Sequence, residues 1–241
     1  MKTTSEQQHR PHPETIRQMF GKVASGYDRA NNVLSAGIHH LWRKKLVSWS
    51  GAKAGQRILD CATGTGDLAI EFKKTVGKHG HVTGTDFCKE MLEPAPAKAQ
   101  SKGLTITFEQ ADVTNLPYES KAFDVSSISF GIRNVGDPVK ALSEMARVTR
   151  SGGAVMILEF GQVKAPVLGP LYNWYSEKVL PMVGGWITGQ KDAYEYLQKS
   201  SAAFPCREDF IRMMESTGQF ETCQYVPLTG GIAYIYKGIV K

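Results

Sequence analysis

At 241 residues, 41% hydrophobic and 22% charged, the chain has the size and composition of one large α/β domain rather than a disordered or fibrous protein. Its net charge is +6, but no block of five or six basic residues occurs and no nucleic-acid motif accompanies the charge, so no nucleic-acid partner is expected. No stretch reaches 18 apolar residues, so no membrane-spanning helix is predicted. Cys61, Cys88, Cys206 and Cys223 lie far apart without CxxC spacing, so no metal site is expected. Free thiols and no secretory signal predict a reducing cytoplasm.

Residues 1–13 are polar, carry Pro11 and Pro13, and read as a mobile tail. The remainder, 14–241, reads as a single domain that opens with a helical segment, 14–51. Ile16, Met19, Phe20 and Val23 recur at helical spacing, and residues 24–28 break the pattern. A short helix over 31–34 follows, then a break at Ser35-Ala36-Gly37 and an amphipathic helix over 38–49. These helices are expected to cap the core more than to wall a substrate site.

Strand and helix then alternate. Strands are predicted at about 57–61, 81–86, 104–110, 123–129 and 154–160, with helices at about 67–76, 89–102 and 138–149. Pro94 and Pro96 disturb the second of these helices. The rhythm predicts a doubly wound, mostly parallel sheet. It stops after Gln162, where 163–200 reads as a lid-like insertion rich in Pro, Gly and aromatics. A helix near 206–216 and strands near 220–227 and 231–239 follow. Only Thr229-Gly230-Gly231 separates those last strands, which predicts an antiparallel hairpin and seven strands in all.

The first strand leads into RILDCATGTGDLA, from Arg57 to Ala69. Gly64 and Gly66 let backbone approach a ligand, and the helix that follows offers unpaired N–H groups. The glycines alone leave three readings open: a tight turn that binds nothing, a dinucleotide site, or a site for another nucleoside. Asp60 argues against a pyrophosphate and for a cationic ligand such as S-adenosylmethionine (SAM). Asp86 ends the second strand, where an acid can accept both ribose hydroxyls. Asp112 follows the third, where it can accept from an adenine amine while Val113 covers the ring. Acids at strand ends are also common turn formers, but three at successive carboxyl ends lie where open α/β sheets bind ligands.

The series ILDCATGTGDLA, VTGTDFCKEML, EQADVTNLPYESKAFDVSSISFGIRNV and SGGAVMILEF resembles the class I SAM-dependent methyltransferases. VASGYDRANNVLSAGIHHLWR, SISFGIRNV and YSEKVLPMVGGWITG with YEYLQKSSAAFP narrow the resemblance to the quinone-biosynthesis C-methyltransferases, over nearly everything from Phe20 onward. The resemblance implies a Rossmann-like fold, SAM as methyl donor, and cofactor contacts at Thr65, Asp86, Asp112, Val113 and Ser129. It implies methylation of a ring carbon of a polyprenylated quinol on the way to menaquinone, ubiquinone or both. Another phenolic or lipid acceptor stays open, as does a homodimer.

Arg133-Asn134, after the fourth strand, is the first choice for the chemistry. Arg133 is protonated at any usable pH, so it can stabilise a phenolate or orient a water, which Asn134 can share. The alternative is that Arg133 pairs with a carboxylate such as Glu159. His39, His40, Tyr27 and Asp28 are weaker candidates. Tyr194 and Tyr196 either line the pocket or merely pack. Tyr172, Trp174, Tyr175 and Trp186, with Leu168, Leu171, Val179, Leu180, Met182 and Val183, suit the insertion to a transient membrane surface, so the protein is expected on the inner face of the membrane.

Overall fold

The structure is a computed structural model and describes residues 13–163 and 168–241. The predicted tail up to residue 12 and residues 164–167 of the insertion lie outside that range. Helices α1 (Pro13–Val23), α2 (Tyr27–Leu34) and α3 (Ile38–Ser50) precede the sheet. Strands β1 (Arg57–Cys61), β2 (His81–Asp86), β3 (Thr107–Gln110), β4 (Phe123–Ser129), β5 (Thr149–Phe160), β6 (Phe220–Leu228) and β7 (Ala233–Val240) form one sheet in the order β3-β2-β1-β4-β5-β7-β6. The first five are parallel, and β7 runs antiparallel to both its neighbours. This is the doubly wound sheet with a terminal hairpin that the sequence predicted.

Helices α4 (Asp67–Val76), α5 (Lys89–Leu92), α6 (Ala95–Gln100), α7 (Pro138–Val148) and α11 (Glu208–Glu215) flank the sheet. Adjacent strand residues serve opposite faces, because side chains alternate with period two. Ile58, Met156 and Ile235 pack with Trp42, Leu46 and Phe72 on one face. Leu59, Ile157 and Tyr236 pack with Leu142, Met145 and Phe210 on the other. Both faces are buried, as a sheet covered by crossover helices requires.

Several boundaries differ from expectation for local reasons. The helix predicted over 89–102 is two pieces, because the chain breaks where Pro94 precedes α6. β3 begins at Thr107 rather than 104. β5 begins at Thr149, whose pairing with Phe123 precedes an irregularity before Ala154 meets Val125. Gly153 sits there because a Cβ would fall 2.6 Å from the Asp124 carbonyl. Tyr27 and Asp28 open α2 rather than forming part of a break.

The insertion is helical. α8 (Leu168–Trp174) runs through a π turn (Tyr175–Val179) into α9 (Leu180–Thr188), and α10 (Lys191–Ala203) folds back on it. Gly184 permits that return, since a Cβ there would meet the Tyr194 ring at 2.6 Å. No helix among the described residues is long and apolar enough to cross a membrane.

Candidate functional site

A cavity of about 420 Å³ opens at the carboxyl ends of β1, β2 and β4. Asp60, Gly64, Thr65, Asp86, Asp112, Val113, Ser129 and Asn134 all line it. Gly66, expected among the ligand contacts, does not. With φ of 83° it turns the chain into α4, and a Cβ would come 3.0 Å from the Phe108 ring.

The carboxylates are held by their surroundings. Asp86 accepts from the N–H groups of Gly64 (2.9 Å) and Cys88 (2.9 Å), which ties the glycine loop to the end of β2. Burial pushes its carboxyl up to about 6, against those two hydrogen bonds. Asp60, at 1% exposure, accepts from Thr63 Oγ1 (2.6 Å) and Ser127 Oγ (2.7 Å), and burial raises it likewise to about 6. Asp112 is exposed and accepts from the Thr114 N–H (2.8 Å), an Asx turn that leaves Val113 buried beside it. Ser129 Oγ is buried without a hydrogen-bond partner among the described residues. An orphaned hydroxyl between clustered carboxylates fits a polar, partly cationic guest.

A second cavity, of about 500 Å³, adjoins the first and is far more apolar. Phe20, Tyr27, Arg43 and Phe130 line both. Its walls come from α1, α2, α3, the β4 exit and the insertion. Trp42, Phe130, Phe160, Tyr172, Tyr194, Tyr196 and Leu197 contribute rings and aliphatic surface. The N-terminal helices thus cap the sheet and also wall both cavities, which the sequence reading weighed the other way. Val33 and Ile38 line this cavity while remaining exposed, so they mark its mouth.

Arg133 and Asn134 part company. A short 3₁₀ turn (Ile132–Asn134) after β4 sends Arg133 to the second cavity and Asn134 to the first. Arg133 Nη1 donates to Glu159 Oε1 (2.7 Å) and to the Phe130 carbonyl (2.6 Å), and its guanidinium carbon lies 5.4 Å from the Phe160 ring centroid. The Glu159 pairing named as the alternative is therefore present, nearly sealed from solvent. Yet Arg133 Nε is buried with no hydrogen-bond partner among the described residues. Asn134 Oδ1 accepts from Tyr196 Oη (3.1 Å), linking α10 to the β4 exit.

Sequence reading missed the polar junction under the first cavity. Asp28 accepts from Thr65 Oγ1 (2.6 Å) and pairs with Lys98 (2.5 Å), while Asp67 pairs with Lys98 (2.5 Å) and Arg43 (2.9 Å). Burial favours a neutral Asp67, but Arg43 and Lys98 outweigh it and hold the carboxyl below its ordinary range. The signal lay in the YDRA and HHLWR stretches, unreadable without knowing that α2, α3, α4 and α6 converge. His39, His40 and Asp67 bring three ligand atoms within 4.8 Å of one another, but Asp67 is already occupied by two cations.

The ubiE/COQ5 methyltransferase family profile matches residues 2–240. The chain is 72% identical, over 97% of its length and 99% of the relative's, to a ubiquinone/menaquinone biosynthesis C-methyltransferase UbiE of Bdellovibrio bacteriovorus. A protein of the same name from a Geobacter species is 42% identical over 93% of this chain and 96% of its own. A Thermotoga maritima crystal structure described as a SAM-dependent methyltransferase superposes with a TM-score of 0.65 at 21% identity, covering 93% of this chain and 99% of that one.

Proposed function

The chain belongs to the ubiE/COQ5 methyltransferase family and is a SAM-dependent C-methyltransferase of quinone biosynthesis, and we propose that its first cavity holds SAM while its second holds the ring of a polyprenylated quinol. The observation that carries the reading is the pair of adjoining cavities, one carboxylate-lined and one apolar, sharing a wall at Phe20, Tyr27, Arg43 and Phe130.

In this reading Asp86 accepts the ribose hydroxyls, Asp112 and Val113 meet the adenine, and Asp60, Gly64, Thr65 and Ser129 complete the cradle. Bound there, SAM supplies an electrophilic methyl group to a nucleophilic ring carbon. The chain's task is to make that carbon nucleophilic and to exclude water. A quinol carbon gains electron density as its ortho hydroxyl gives up a proton. Arg133 Nε, a buried donor without a partner among the described residues, stabilises the oxyanion that develops. Glu159 keeps the guanidinium fixed so that little reorganisation is needed. After transfer the ring carbon loses its proton, the oxygen regains one, and one proton is released overall.

A membrane-resident acceptor needs a docking face. Trp186 is 85% exposed, Met182 64% and Trp174 58%, while Tyr172, Tyr175 and Leu180 of the same segment turn inward to the second cavity. One helical segment thus offers apolar side chains to both a bilayer and the acceptor ring. The side chains of Leu168 and Leu171 lie outside the described set.

Reduced demethylated naphthoquinol in anionic vesicles is the test. Methyl incorporation at a ring carbon, vesicle sedimentation that weakens with salt, and selective loss on Trp186→Ala for long-tailed acceptors are expected. Methylation of phenols but of no quinol would refute the acceptor, and equal losses on short- and long-tailed acceptors would refute the docking face.

A further inference from the structure

We propose that His39 selects the reduced form of the acceptor ring, accepting at Nε2 a hydrogen bond that a hydroxyl can give and a carbonyl cannot. The inference rests on the quinol reading of the second cavity.

The argument begins at Ser35. Its hydroxyl has one proton, which it donates to the Asn31 carbonyl at 2.7 Å. The same oxygen is hydrogen-bonded to His39 Nδ1. With the serine proton spent and a carbonyl unable to donate, Ser35 Oγ can only accept from Nδ1–H. That fixes the tautomer and leaves Nε2 carrying a lone pair. No hydrogen bond engages Nε2 among the described residues, and His39, 4% exposed, lines the second cavity.

The ring also stays neutral. Burial first, then Arg43 and His40 on its own helix, pull its pKa down to about 4, against Asp67 of α4 and Asp28 of α2. Nε2 therefore remains an acceptor throughout the neutral range.

The other polar groups on this wall do not discriminate. The Tyr27 and Tyr172 hydroxyls can rotate to give or to take a hydrogen bond, and burial pushes Tyr172 up to about 12, so it keeps its proton. Arg43 and Arg133 donate, to a hydroxyl oxygen as readily as to a carbonyl. Tyr175 and Tyr196 give their protons to the Leu34 carbonyl and to Asn134 Oδ1 but can rotate to donate elsewhere, so of these groups His39 Nε2 is the one that cannot turn its lone pair into a donor. A quinol hydroxyl satisfies it. A quinone oxygen sets lone pair against lone pair and leaves a buried acceptor unmet. The oxidised ring has no phenolic proton to lose and cannot become the nucleophile, so its exclusion keeps the cavity for rings that can react.

Two measurements test this. In histidine-labelled protein, long-range ¹H–¹⁵N spectra, with His39 identified by its loss in His39→Gln, should show a neutral ring protonated at Nδ1 at pH 7. An Nε2–H tautomer or an imidazolium would overturn the proposal. Tryptophan quenching by a short-tailed demethylated naphthoquinone and by its anaerobically reduced quinol reads the selectivity. Wild-type protein should bind the quinol at least about tenfold more tightly, the scale of one lost hydrogen bond. His39→Phe should bring the two forms within about twofold, and Ser35→Ala, which frees the tautomer, should give an intermediate ratio. SAM affinity unchanged within about twofold certifies the folded variants. Retention of the wild-type preference in His39→Phe would overturn the assignment. A wild-type protein that binds SAM but neither ring form would instead refute the acceptor reading itself.

Discussion

The two cavities touch, yet they are built on opposite plans. The first is assembled from the ends of β1, β2 and β4, whose backbones are locked into the sheet. Burial makes two of its carboxylates, Asp60 and Asp86, reluctant to ionise, while Asp112 stands exposed. The second is assembled from helices outside the sheet, and its charged groups are the cations Arg43 and Arg133 beside a histidine that burial keeps neutral. One plan suits a cationic nucleoside shared by many enzymes, the other an apolar ring that develops negative charge. The sheet edge frames the carboxylate-lined cavity, and the helices outside the sheet frame the apolar one.

The largest test of this division is Arg133→Ala. It removes the unpartnered donor of the second cavity, and losing a donor to a developing oxyanion costs roughly 10²–10³ in turnover. It also leaves Glu159, 1% exposed, without its cation. Breaking a buried pair from one side costs about 3–5 kcal/mol. Chemical denaturation should show that loss, while SAM affinity in the folded fraction stays within about twofold. Arg133→Lys keeps the charge but not the fork and should recover stability more than rate. Wild-type turnover in Arg133→Ala would dissolve the division of labour.

Asp86→Ala probes the other side and should do less. It deletes one charged acceptor of the first cavity, worth roughly 1.5–3 kcal/mol. Calorimetry should read SAM affinity about tenfold to a hundredfold weaker, with quinol binding unmoved. The variant also frees the Gly64 and Cys88 N–H groups, so part of the loss reflects a looser glycine loop.

The two cavities also differ in how far the sequence disclosed them. Asp60, Asp86 and Asp112 were identifiable because strand ends are set by local pattern and the sheet carries the carboxyl ends of its first five strands to one edge, whereas Ser129 followed from the family resemblance. The second cavity depends on long-range packing that no local period records. Gly184, Gly185 and Pro181 read only as part of a Pro- and Gly-rich insertion, whereas Pro181 stands in the first turn of α9 and Gly184 makes room for the Tyr194 ring. His39 read as one more histidine on an amphipathic helix, because its tautomer is set by Ser35 and Asn31, one turn and two turns upstream across a break. The Arg133–Glu159 pair was readable as a possibility and not as a geometry, since an ion pair does not reveal that Nε stays open.

The smallest expected effect is the pH dependence of stability without ligand, and its sign separates the cavities. Asp60 and Asp86 are raised to about 6 in the fold from an ordinary value of 3.8. Their stabilising contribution is complete below that ordinary value and is lost as pH rises through 6. His39 runs the other way, at about 4 in the fold against 6.5 unfolded. Its contribution is complete above 6.5 and is lost as pH falls toward 4. Asp67 and Glu144, held below their ordinary range, yield only at more acid pH. From roughly pH 7.5 to pH 5.5 the two carboxylates and the histidine nearly balance, so the ligand-free protein should melt at almost the same temperature at both. The difference is well under 1 kcal/mol, and at about 2–4 °C per kcal/mol in a chain of this size calorimetry should find about 1 °C or less. Asp86→Asn leaves the histidine dominant and should melt lower at pH 5.5, whereas His39→Phe leaves the carboxylates unopposed and should melt a few degrees higher there. Added SAM should stabilise more at pH 7.5, because hydroxyl donors and a nearby cation favour the ionised carboxylates. A His39→Phe protein that melts no higher at pH 5.5 would show that the first cavity holds its carboxylates ionised, and the electrostatic contrast between the two cavities would fall.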